Sequence, residues 1–84
     1  MHTLTVTDVT RIATEAAREH SSTLQVVGVT LGGEGNYAEI IINVAGCQVE
    51  PCRFSVGIFR DAPEAVIHRE IAGQLQRHIR EHAG

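Results

Sequence analysis

Two cysteines and five histidines are the residues of this chain best suited to chemistry, and their spacing limits what that chemistry would be. Cys47 and Cys52 form a C-x4-C pair, compatible with a disulfide, with half of a metal site, or with two structural thiols. Strand parity separates these readings. If Ile40, Ile42 and Val44 share a face with Phe54, Val56 and Ile58, directly opposed residues must have an even number sum, and 47 with 52 gives an odd one. A bulge, for instance at Gly46, would be needed to bring the pair together. The expectation is therefore two free thiols, the state a reducing compartment favours.

His78-Ile79-Arg80-Glu81-His82 has the letters of the H-x-x-E-H signature, in which two histidines one helical turn apart bind zinc and the glutamate acts as base. Such a centre needs a third protein ligand and a cleft. No third ligand stands at a recognisable spacing, so the segment reads as a polar helix end, and neither a metal nor a cofactor is expected. His68 falls among Ile71, Ala72 and Leu75 on a helical projection, and His20 lies on an alanine-rich stripe. Both are expected to be buried neutral imidazoles hydrogen-bonded to backbone. An enzymatic or metal-binding role would require His68, or His78 with His82, to meet Cys47 or Cys52 in one cleft.

The elements that position these residues follow from periodicity. Thr7-Asp8 marks a helix start, and Val9, Ile12, Ala13, Ala16 and His20 follow on one stripe. Thr23 to Leu31 is rich in β-branched residues. Gly32-Gly33-Glu34-Gly35-Asn36 then reads as a hairpin turn rather than an anion cradle, because it joins two strands instead of a strand and a helix. Tyr37 to Ala45 alternates cleanly, with Ala38, Ile40, Ile42 and Val44 on one face. After Gly46 to Pro51, Phe54, Val56 and Ile58 resume the alternation. Asp61-Ala62-Pro63-Glu64 opens a second helix, whose stripe is Ile67, Ile71, Leu75 and Ile79; Gly73 weakens it by roughly 1 kcal/mol relative to Ala. Short connections between consecutive strands require an antiparallel meander. The expected fold is α+β in two layers: a three-stranded antiparallel meander with two helices on one face, in the order α-β-β-β-α, over residues 1–84 as a single domain.

Composition sets further bounds. The 84 residues are 43% hydrophobic and 20% charged, a globular rather than disordered balance. All seven basic residues are arginine, which removes Schiff-base and P-loop lysine chemistry. The net charge of −3 is uneven, because the first 42 residues carry two Arg against five acids and the last 42 carry five of each. Met1 leads into a Thr-rich segment with no basic stretch and apolar run behind it, so neither a signal peptide nor a membrane span is expected and the cytoplasm is the default location.

The α-β-β-β-α order resembles that of the double-stranded-RNA-binding domain in topology alone, and a nucleic-acid-binding module of that topology is the alternative reading of the chain. That family places a lysine-rich cluster at the start of its last helix, where this chain has Asp61-Ala62-Pro63-Glu64. An RNA role would also need Arg53, Arg60, Arg69, Arg77 and Arg80 to gather into one patch. The acidic balance points away from nucleic acid.

Two helices can cover only one face of a three-stranded sheet. The other would present Tyr37, Ile41, Asn43, Arg53, Gly57 and Phe59, with Val26 a further candidate. This face is the expected binding surface, with Tyr37, Ile41, Arg53 and Phe59 as partner-binding residues. The expected role is a non-catalytic protein-binding or regulatory module with a protein partner or a second copy bound, without nucleic acid or membrane.

Overall fold

The computed structural model describes residues 4–47 and 52–82, without the side chain of His82. Helix α1 (Val6–His20) is followed by β1 (Gln25–Gly32), β2 (Tyr37–Ala45), β3 (Cys52–Phe59) and helix α2 (Glu64–His82). The strands form one antiparallel sheet in the order β1-β2-β3. This is the α+β order expected from the periodicity.

Helix α1 starts two residues earlier than Thr7-Asp8 suggests. Thr5 is its N-cap: Thr5 Oγ1 accepts from the Asp8 amide at 3.1 Å, and the Asp8 carboxylate accepts from the Thr5 amide at 3.1 Å. The reciprocal pair satisfies two amides left open by the first turn. Asp61, the first residue of the Asp61-Ala62-Pro63-Glu64 segment read as the start of α2, accepts from Asn36 Nδ2 at 3.2 Å across the β2–β3 end. The first α2 amides to find acceptors, those of Val66 and Ile67, donate to the Pro63 carbonyl.

The core lies between the sheet and both helices. Ala38, Ile40, Ile42 and Val44 from β2 and Cys52, Phe54, Val56 and Ile58 from β3 are buried in strict alternation. They meet Val9, Ile12, Ala13, Ala16 and Ala17 of α1 and Ile67, Ile71 and Leu75 of α2. Each large side chain so placed contributes about 1.5–3 kcal/mol relative to exposure. The alanines of α1 let its backbone approach closely.

Strand β1 departs from simple alternation. Its register shifts between Val26 and Gly28, so Val27 is an extra, bulged residue. Because a bulge inverts parity, Val26 opposite Val44 and Val29 opposite Ile42 both face inward. Val26 therefore packs on the core rather than on the open face, and Val27 is 62% exposed.

The thiol expectation is overturned: Cys47 and Cys52 form a disulfide, with Cα atoms 6.1 Å apart. The parity argument itself holds within the sheet, since Val44 opposes Cys52 and Asn43 opposes Arg53, both even sums. Cys47, however, lies beyond the last paired residue. Gly46, at φ 95°, turns the chain out of the strand, and parity constrains only residues in a ladder. Residues 48–51 of the connection lie outside the described set. Among the described residues, no helix is long and apolar enough to cross a membrane.

Candidate interaction face

The outward face of the sheet is built by three registers. Gly28, Asn43 and Arg53 form one row, Thr30, Ile41 and Ser55 the next, and Gly32, Glu39 and Gly57 the third, with Tyr37 opposite Phe59 beyond them. Tyr37 is 50% exposed and Phe59 61%. Their rings meet edge to face, centroids 6.2 Å apart, a geometry favoured by the ring quadrupoles. Tyr37 leans along the sheet so that its ring and hydroxyl occupy the space a side chain at Gly57 would fill. Ile41 is half-buried at the floor of a shallow groove that Glu39, Arg53 and Ser55 also line. The four expected partner-binding residues thus share one face, with Ile41 central, Arg53 to one side and the aromatic pair at one end. Glu39 and Gly57 belong to the same surface; outward parity in the alternating runs gives them away.

The hairpin turn holds a cation rather than an anion. Arg60 Nε and Nη2 donate to the carbonyls of Gly35 and Gly32, each at 3.2 Å, and the Arg60 amide donates to the Asn36 carbonyl at 2.7 Å. The turn is thereby tied to the end of β3.

The histidines are not where periodicity puts them. His68 is a boundary residue, its side chain 28% exposed, with Nε2 3.2 Å from Glu19 Oε2 across the two helices rather than bonded to backbone. His20 is exposed at the end of α1. Both line a cleft between α1 and α2 with Ala16, Ala72 and Gly73. The cleft is open to solvent there, so an angular projection that places a residue on the apolar stripe overstates its burial. His78 packs against Phe54, ring centroids 6.2 Å apart, and the side chain of His82 lies outside the described residues. Cys47 borders a different cleft, with His20 and Ile79, so His68 and the cysteines do not meet. Among the described residues, no group of three or more His, Cys, Asp or Glu side chains is arranged to hold a metal ion.

The arginines are dispersed. Arg53 projects from the open sheet face, Arg69 lines the cleft in the helix layer, and Arg60 is engaged on the hairpin turn. Arg77 Nε donates to Glu81 Oε1 at 3.0 Å. Arg11 pairs with Glu64, which by hydrogen bond and charge pushes the guanidinium pKa further up.

No protein-family model matches this chain, and no curated protein and no solved structure is detectably similar to it.

Proposed function

We propose that this protein is a non-catalytic protein-binding or regulatory module that works through its open sheet face. The observation that carries the reading is the aromatic pair Tyr37 and Phe59, exposed by half or more beside the half-buried Ile41. Aromatic side chains bring large contact area for little conformational entropy, and they are enriched where protein surfaces meet. The site is flanked by one cation, Arg53, and one anion, Glu39, which suits a polypeptide surface of mixed charge better than a polyanion. The cytoplasm remains the proposed location. Because Cys52 faces the core, the open face is expected to keep its shape whether the bridge is closed or reduced.

The test compares Ile41→Glu and Phe59→Ser with wild type in partner capture, sedimentation and thermal melting. Both variants should lose association while retaining a cooperative melt within about 1 kcal/mol of wild type, as outward positions allow. Ile42→Ala, one residue along the strand and fully buried, should instead cost about 2–5 kcal/mol. Unfolding of Ile41→Glu to the same extent as Ile42→Ala would place Ile41 in the core and remove the reading.

A further inference from the structure

We infer that the occupant of the open face is a second copy of this chain, stacked so that Arg53 of each copy enters a cradle formed by Gly57, Tyr37 and Glu39 of the other. The inference rests on the binding role proposed for that face and names its partner. A face meeting its own copy about a two-fold axis must be complementary to itself. Two stacked sheets pack about 10 Å apart with strands nearly aligned. That leaves two simple dyads over Ile41, the centre of the face.

The first dyad runs along the strands. It lays β2 on β2 in the same direction and superimposes Glu39 on its own symmetry mate. It also sets Arg53 over Gly28 and beside Asn43, where no carboxylate waits. Like charges brought face to face in an interface cost several kcal/mol, so this arrangement is disfavoured.

The second dyad runs across the strands. It reverses β2 on β2, keeps Ile41 over Ile41, and carries the row of Arg53 onto the row of Glu39. Since Arg53 and Gly57 both belong to β3 and oppose Asn43 and Glu39 respectively, Arg53 of one copy comes to stand over Gly57 of the other. Gly57 presents no side chain there, only the hydroxyl end of the Tyr37 ring reaching over it. A guanidinium over that ring is held by cation–π attraction, and the Glu39 carboxylate on the neighbouring strand supplies a charge-assisted hydrogen bond. The symmetry makes the contact twice. Thus the lean of Tyr37 over Gly57 and the placement of one cation and one anion on either side of Ile41 have a single explanation.

The experiment is a charge swap read by sedimentation of the full chain at low salt over a concentration series. Wild type should dimerise, with an affinity on the order of micromolar for so small a face. Arg53→Glu and Glu39→Arg should each weaken self-association by on the order of 100-fold, with unchanged melting at dilute concentration because both side chains are exposed. Mixed in equal amounts, the two variants should form a heterodimer, since each then meets the opposite charge. Tyr37→Ala should weaken the dimer without altering the swap. A wild type that stays monomeric at millimolar concentration, single variants that still dimerise, or a mixture that stays monomeric each overturn the inference. In the first of these cases, a partner protein lost on Ile41→Glu would leave the wider reading of the face standing.

Discussion

At the scale of single residues, Cys47 and Cys52 are unequal partners. Cys52 is 3% exposed among Val44, Phe54 and their neighbours, whereas Cys47 stands half-buried beyond the sheet. Gly46 makes the bond reachable, because its φ of 95° is one that residues with a Cβ rarely adopt, and a Cβ there would run into the Thr23 carbonyl. Closing so short a loop contributes about 2 kcal/mol by chain entropy. In protein purified without reductant, neither cysteine should react with a maleimide after denaturation, and both should react once reductant is added. Reduction, or Cys47→Ser, should lower the melting temperature by on the order of 10 °C, with Cys52 then packing as a small apolar side chain. Two thiols titrating without reductant would return the pair to the free state that parity alone suggests. The pairing was beyond reach of the sequence because parity says nothing about a residue past the end of its ladder.

At the scale of elements, legibility tracks how completely one face is buried. Strands β2 and β3 alternate without exception because every second residue enters the core, and a one-residue slip would expose the whole set. Strand β1 hides its register, since Val26 and Val27 are equally apolar and only the bulge separates their fates. The start of α1 was signalled by Asp8, but as the third helical residue answering Thr5 rather than as the cap itself. The histidine positions failed for a different reason: a helical projection knows the angle of a side chain and not the crossing of two axes. Among the candidate face residues, Tyr37, Ile41, Arg53 and Phe59 were readable from alternation, whereas the lean of Tyr37 onto Gly57 depends on tertiary packing. Helix α2 offers a direct check on element energetics. Gly73 is exposed, and a methyl group placed there would meet nothing within 4 Å. Gly73→Ala should therefore recover about 0.5–1 kcal/mol of backbone entropy and raise the melting temperature by a few degrees. A lower melting temperature would mean that the cleft above Gly73 needs to stay open for a reason of its own.

At the scale of the whole molecule, the distribution of charge bears on whether the element order that resembles the double-stranded-RNA-binding domain brings RNA affinity with it. Affinity for a nucleic-acid backbone comes from several cations facing one way, each releasing counterions on contact with phosphate. Here the cations face several ways and many are already spoken for: Arg11 by Glu64, Arg77 by Glu81, and Arg60 by the carbonyls of the hairpin turn. Arg53 sits on the opposite layer from Arg69. The start of α2, where the family carries its lysines, presents Glu64 to Arg11 across the helix pair. Arg11, Arg60 and Arg77 thus hold partners within the fold, and the net charge is −3. Neither duplex nor single-stranded RNA should bind at physiological salt, as read by the anisotropy of a labelled RNA titrated with protein. Arg53→Glu, which disrupts the proposed dimer, should leave that result unchanged, because no phosphate contact is being lost. Micromolar binding that weakens steeply as salt rises, and that falls with Arg53→Glu, would show instead that the open face is a phosphate platform and that its exposed Tyr37 and Phe59 rings stack on bases.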